Sequence, residues 1–241
     1  MEAEMMPAVD SSKLWILIPA FNEAQHISLC VRETQAAFPL ARILVIDNGS
    51  TDQTASLARD AGARVVTETR KGKGFAVTAG VSLALEAGCA WIALHDADRE
   101  YKAEHLAELV WECQVSAGDA ETPVVMGVGL REVMLGQVLW RSLIANFVAR
   151  LALRVALGKR PPEDILTGAR VMSASLARAL FNRPGGPPYR GFELETALTR
   201  RAMRMNAAMV SKRVRYVPRV ATEKKIKASD MFGILRAAFN G

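Results

Sequence analysis

Cysteine is scarce in this 241-residue chain: Cys30, Cys89 and Cys113 each sit inside an apolar stretch, and none forms a C-x-x-C pair. That excludes a disulfide framework and leads us to expect buried, reduced thiols of a cytosolic protein. Histidine is equally sparse, with His26, His95 and His105 dispersed along the chain, so a structural zinc site is not expected. Long apolar runs are missing too. No stretch of about eighteen residues is free of charge, which argues against a membrane-spanning helix. Met1–Ser12 is acidic and lacks the basic-then-apolar order of a secretory signal. There is no internal repeat and no low-complexity segment.

Half of the residues are apolar and 23% are charged, a globular composition with enough apolar mass for a sizeable core. The net charge of +6 conceals an asymmetry. Residues 1–120 carry 10 Lys+Arg against 17 Asp+Glu, a net of −7, whereas residues 121–241 carry 21 against 8, a net of +13. An acidic half suits a cation, and a basic half faces something anionic. Phosphate groups, anionic lipid and nucleic acid all meet that description.

Along the first half, short apolar runs alternate with amphipathic stretches. Strands are expected at Leu14–Ile18 (stopping at Pro19), Arg42–Ile46, Arg64–Val66, Ala90–Leu94 and Pro123–Gly127. Helices are expected at Glu23–Ala37, Asp52–Ala61 (capped by Ser50 or Thr51), Gly74–Ala87 and Lys102–Ser116. This β-α-β-α order implies an α/β fold with a mostly parallel sheet flanked by helices. Ligands on such sheets bind outside the carboxyl ends of the strands, which selects Pro19–Glu23, Asp47–Ser50 and His95–Glu100. In the second half, Val138–Leu157 reads as an apolar helix studded with Arg141, Arg150 and Arg154. It is expected to lie flat on a bilayer surface or to pack as an ordinary core helix. Asn182–Pro188 is a Pro/Gly-rich break, Glu193–Met205 a helix, Val210–Val217 an edge strand, and Asp230–Phe239 a short amphipathic helix.

The strongest chemical signal is Trp91-Ile-Ala-Leu-His-Asp-Ala-Asp-Arg-Glu100. A buried strand here delivers Asp96 and Asp98 at its carboxyl end, with Glu100 two residues on. Hard carboxylate oxygens with open positions beside them suit Mg2+ or Mn2+ bridging phosphates, so the expected metal set is Asp96, Asp98 and Glu100. Two further segments end strands in the same way, Ile16-Leu-Ile-Pro-Ala-Phe-Asn-Glu23 and Ile43-Leu-Val-Ile-Asp-Asn-Gly-Ser-Thr-Asp52. Arg70-Lys-Gly-Lys-Gly74 opens a helix with glycines and lysines that attract phosphate, but Phe75 follows where a Walker loop requires Lys-Ser/Thr.

Taken together, these segments resemble the inverting glycosyltransferases of family 2, which have the GT-A (nucleotide-diphospho-sugar transferase) fold. Members show a strand into Pro-x-Tyr-Asn-Glu, a strand into Asp-Asp-Gly-Ser-x-Asp, and a strand into Asp-x-Asp. This chain has Phe21 for the Tyr and Asn48 for the second Asp. Gly127-Val-Gly-Leu-Arg131, Trp140-Arg141 through Asn146, Asp164-Ile-Leu-Thr-Gly-Ala-Arg170, Phe192-Glu193-Leu-Glu195 and Tyr216-Val-Pro218 resemble the dolichyl-phosphate mannose synthase branch. Lys224 falls where that branch has an Arg, and Ser229-Asp230 replaces its Ser-Lys.

The resemblance implies roles. Pro19, Phe21, Glu23, Asp47 and Asn48 would line the nucleoside pocket of a UDP-sugar or GDP-sugar donor, with Asp47 accepting from a base N–H. Lys73, Asp96 and Lys224 would face the diphosphate, and Asp98 would serve catalysis through the cation. Arg131 and Arg141 would grip the phosphate of a polyprenyl-phosphate acceptor. Asp164 or Glu193 would serve as base for a hydroxyl acceptor. The implied organisation is a disordered 1–12 followed by one domain, 13–241, with a donor half at 13–128 and a basic acceptor half at 129–241. Cytoplasmic localisation with peripheral contact at the membrane face is expected, and no nucleic-acid partner. The alternatives are a soluble acceptor (a phosphorylated small acid or a hydroxyl), a nucleotidyltransferase, and a basic nucleic-acid- or lipid-binding module without catalysis. The last leaves Asp96 and Asp98 unexplained and lacks aromatics interleaved for base stacking.

Overall fold

A computed structural model describes residues 11–132, 140–181, 191, 193–216 and 228–240. Lys224 and the break at residues 182–188 lie outside these, as does the side chain of Arg141. Of the amino-terminal segment, residues 1–10 also lie outside them, whereas Ser11 is buried and its carbonyl accepts from Leu14 N.

A seven-stranded sheet runs through the molecule. Its strands are β1 (Leu14–Ala20), β2 (Arg42–Asp47), β3 (Arg64–Thr67), β4 (Trp91–Leu94), β5 (Val125–Glu132), β6 (Arg170–Ser173) and β7 (Ala208–Arg215). Their order is β3-β2-β1-β4-β6-β5-β7. Only β6 runs antiparallel to its neighbours. The helices are α1 (Ile27–Ala37), α2 (Thr54–Asp60), α3 (Lys73–Glu86), α4 (Ala103–Ala117), α5 (Trp140–Leu157), α6 (Ala174–Phe181), α7 (Glu193–Arg204) and α8 (Ala228–Asn240).

Strand periodicity sorts the core into two layers. Trp15 and Leu17 of β1, with Leu44 and Ile46 of β2, pack against α3, α6 and α7. Leu14, Ile16 and Ile18 point the other way, against α1 and α4. Because both faces are covered, β1 reads as a continuous apolar run. Truncating Leu17, which is fully buried, to Ala would cost about 2–5 kcal/mol. A smaller cluster joins α5, α8 and Ile165. Among the described residues no helix is long and apolar enough to cross a membrane.

Two sequence expectations need correction. β1 continues through Pro19 to Ala20 and stays in register with β2. Leu17 O accepts from His95 N, and Ala20 O accepts from Asn48 N on the opposite side. Backbone groups alternate along a strand, so the Pro19 nitrogen faces the side where β4 has already ended, and no ladder bond is lost. The second correction is β6 with α6, for which no element was expected. A strand beginning at an arginine gives no apolar alternation. Arg170 is nevertheless fully buried, donating to the carbonyls of Thr167 and Ile165 and to Thr199 Oγ1.

The cysteines are free and buried, as expected. Burial pushes the thiols of Cys30 and Cys113 up to about 12, and that of Cys89 up to about 11.

Candidate active site

The first two motif loops are laced into one wall at the carboxyl ends of β1 and β2. Asn22 takes a left-handed backbone (φ 54°), donates its N–H to Ser50 Oγ at 3.0 Å and accepts from Thr51 N at 2.8 Å. Glu23 N donates to Thr54 Oγ1, and Ala24 N to Asp52 Oδ2. Behind the wall, Asp47 is buried and its Oδ1 accepts from Ser50 N. Phe21 is 44% exposed, an aromatic face left open beside these loops.

Asn48 has a different place from the one expected. Its amide donates to the carbonyls of Glu68 and Arg70 and accepts from Gly72 N. With the amide engaged this way, Asn48 stitches the 68–72 loop to β2 rather than presenting itself to a donor. Gly72, at φ 134°, makes the turn that starts α3 and sets Lys73 on its first residue.

Lys73 is the hub of the site. Its ammonium lies 2.8 Å from Asp96 Oδ1 and 3.0 Å from Glu195 Oε1. Burial opposes its charge, but the two carboxylates outweigh burial and hold the ammonium above its ordinary value. Asp96 leaves β4 at the middle of the sheet and rests on Gly168, where a Cβ would overlap its carboxylate. Asp98 Oδ1 accepts from Glu100 N at 3.2 Å. Between them and Glu100, Arg99 adopts φ 60° and pairs with Glu33 of α1 at 2.6 Å, which anchors the turn. His95, beside Asp96, is buried, and burial pushes its imidazole below its ordinary value toward the neutral form.

The three-carboxylate metal set is not gathered. Among the described residues no three His, Cys, Asp or Glu side chains come together as a metal cluster. Glu100 instead accepts a hydrogen bond from the Tyr216 hydroxyl, which burial and the Glu100 charge push above its ordinary value. Asp96 and Asp98 remain a chemically suitable pair. Both are partly exposed hard-oxygen donors, and Asp96 is paired with the Lys73 ammonium.

On the basic side, Arg131 of β5 makes a bidentate pair with Asp164, through Nε at 2.5 Å and Nη2 at 2.9 Å. Its Nη1 donates to Ser142 Oγ of α5, and its guanidinium stands 5.8 Å from the Tyr216 ring centre. Asn146, also on α5, holds the 163–165 segment through Glu163 O and Ile165 N. Asp164 therefore partners Arg131, which engages both of its carboxylate oxygens. The Glu193 carboxylate lies against Gly191 and Gly233 of α8.

Glu195, not Glu193, faces Lys73. It is buried, and among the described residues its Oε2 has no hydrogen-bond partner. Helical spacing was the available signal, because Glu195 shares the apolar stripe of Leu198 and Ala202, three and seven positions on, whereas Glu193 is turned by about 200°.

Comparisons with known proteins give the family and the fold. Residues 15–129, which carry the motifs at the ends of β1, β2 and β4, match the family described as Glycosyl transferase family 2. The chain is 29% identical to a polyprenol monophosphomannose synthase of Mycolicibacterium smegmatis over 90% of its length and 80% of the relative's. It is 31% identical to an uncharacterized glycosyltransferase of Mycobacterium bovis over 89% of both chains, and 28% identical to an undecaprenyl-phosphate mannosyltransferase of Micrococcus luteus over 90% and 86%. In fold it is similar to Mycobacterium tuberculosis glucosyl-3-phosphoglycerate synthase, with a TM-score of 0.64 at 20% identity, covering 93% of this chain and 77% of the other. With its GT-A-like sheet, its carboxylates at the strand ends and relatives matched along nearly its whole length, this chain belongs to glycosyl transferase family 2.

Proposed function

We propose that the protein transfers a sugar from a nucleoside-diphosphate donor to a polyprenyl phosphate, with inversion at the sugar carbon. The single observation that carries the site assignment is the Lys73–Asp96 contact at the carboxyl end of the central strand, flanked by Asp98 and by the buried Glu195. In this reading residues 13–128 hold the donor and residues 129–241 the acceptor.

Asp47 accepts from the base N–H, while Pro19, Phe21 and Glu23 shape the nucleoside pocket. Asp96 and Asp98 would hold a divalent cation, Mg2+ or Mn2+, which when bound offsets the charge gathering on the departing diphosphate. Lys73 supplies a second positive charge at that position. An ionised acceptor phosphate oxygen forms the new bond to the sugar carbon as the bond to the diphosphate breaks, so no strong general base is required. Arg131, with Arg141 and Lys224 from the basic half, holds the phosphates. Two relatives are named for polyprenol or undecaprenyl-phosphate mannosyl transfer, which supports this acceptor class.

A soluble acceptor is the second reading, favoured by the fold likeness to a synthase solved with Mn2+, UDP and phosphoglyceric acid. The test is a panel of UDP- and GDP-sugars with polyprenyl phosphate or 3-phosphoglycerate, with and without Mn2+. Transfer to the lipid phosphate alone supports the proposal; transfer to the soluble acid alone, or no response to any donor, rejects it.

A further inference from the structure

Lys73 has two carboxylates where one would balance its charge. Its ammonium lies between Asp96 Oδ1, just past β4, and Glu195 Oε1, on α7. Glu195 is 4% exposed, and among the described residues its Oε2 has no hydrogen-bond partner. A buried carboxylate oxygen left unpaired carries its full desolvation penalty, and a neutral amide would orient the ammonium without it. The second negative charge calls for a state in which Lys73 depends on Glu195 more than it does here.

That state follows from the cation assignment. The Asp96 carboxylate rests with Oδ2 against Gly168, where a Cβ would overlap it. Its other oxygen, Oδ1, is the one Lys73 holds at 2.8 Å. A divalent cation such as Mg2+ sits about 2.1 Å from a carboxylate oxygen and repels an ammonium on the same atom. Lys73 must then give up Asp96.

Its path is short. Gly72 N donates to Asn48 Oδ1 at 2.8 Å, which pins the backbone just before Lys73. The ammonium therefore moves by the rotors of its own side chain, with Glu195 Oε1 already 3.0 Å away. Glu195 is held in place. Its carbonyl accepts from Thr199 Oγ1 at 2.9 Å, and that hydroxyl accepts from the buried Arg170 at 2.9 Å. Leu194 and Leu198, on the same helix, are packed in the core. A fixed carboxylate with one oxygen to spare can take the displaced ammonium on both.

We propose that Glu195 is the positioning residue for Lys73, receiving the ammonium when a divalent cation takes Asp96 and keeping it directed at the diphosphate. The inference rests on the assignment of Asp96 and Asp98 to the cation and is tested apart from it.

The experiment is calorimetric titration of Mn2+ into the full chain without donor, with transfer rates measured beside it. Glu195→Gln should bind Mn2+ about tenfold more weakly than wild type, because Lys73 is left with Asp96 alone. In a Lys73→Met background the same change should alter Mn2+ affinity by less than about twofold. Glu195→Asp, with the charge on a shorter stem, should lose about threefold, again only where Lys73 is present. It carries the comparison if the glutamine variant does not fold. Raising Mn2+ about tenfold should restore transfer by Glu195→Gln but not by Lys73→Met. Unchanged Mn2+ affinity in the Glu195 variants overturns the inference, as does a loss that persists without Lys73. So does a rise confined to the KM for donor, which makes Glu195 a donor contact instead. Wild-type chain that takes up no Mn2+ removes the cation reading and this inference with it.

Discussion

Lys73 and Asp96, 23 residues apart in the chain, meet at 2.8 Å where the central strand ends, with Glu195 completing the contact at 3.0 Å. An ammonium on Asp96 competes with any divalent cation for the same oxygen. Lys73→Met should therefore bind Mn2+ more tightly in the absence of donor, by about tenfold, while transfer falls about a hundredfold because the leaving diphosphate loses a counter-charge. The melting temperature should drop, consistent with roughly 2 kcal/mol for two carboxylates left without their partner, and Mn2+ should restore part of it. Titration calorimetry and initial rates read both effects; weaker Mn2+ binding by the variant would remove the competition.

Asp98 is a direct probe of the cation assignment, because it is a half-buried carboxylate just past the end of β4. Asp98→Ala should reduce transfer by at least about a hundredfold and shift stability by no more than about 1 kcal/mol. Turnover at the wild-type rate, measured with saturating donor and Mn2+, sinks the assignment.

Arg131 and Asp164 form a pair only 12% and 10% exposed at the side chain. Removing one partner strands the other charge, so Arg131→Met and Asp164→Asn should each cost about 3 kcal/mol. The double variant should fall short of their sum by about 2 kcal/mol in urea unfolding. Strict additivity would show that the two side chains do not act as a pair in solution.

Glu33 gives a pH signature. Its hydrogen bond from Arg99 holds the carboxyl below the usual value, against an opposing effect of burial. A depressed carboxylate adds stability above its unfolded pKa, near 4.3, and loses it as pH falls through the folded value. The gap between wild type and Glu33→Gln should be flat from about pH 7 to 5, at most about 1 kcal/mol, and should close toward about pH 3. A gap that widens in acid contradicts the pairing. Because Arg99 sits in the Asp96–Glu100 turn, the same variant should also raise the KM for donor.

Much of the donor side was legible in the sequence because strand runs and turn residues are local signals. Leu14, Ile16 and Ile18 announce a buried strand, and Asp96 and Asp98 stand at the end of another. What sequence could not show is which charges meet. Asp164 pairs with Arg131, 33 positions upstream, a distance in the chain over which no local pattern relates the two. Glu193 and Glu195 are alike in type, and only the rotation of α7 separates one facing Lys73 from one against α8. Asn48 looked like a ligand-binding side chain because its structural duties lie 20–24 residues downstream. β6 escaped because its buried arginine is satisfied by a loop and a helix that no local pattern relates to it.

The reversed strand β6 constrains how this protein can be recombined. It is drawn from residues 170–173 yet lies between β4 and β5, which come from earlier in the chain. A fragment cut after β5 would keep two strands whose shared neighbour is gone, each with an open row of amide and carbonyl groups prone to pairing with other molecules. Grafting a foreign carboxyl-terminal portion onto this amino-terminal one thus requires that the graft bring its own wedge strand of the same length and polarity. Chimeras joined without it should accumulate as insoluble material instead of acquiring a new specificity.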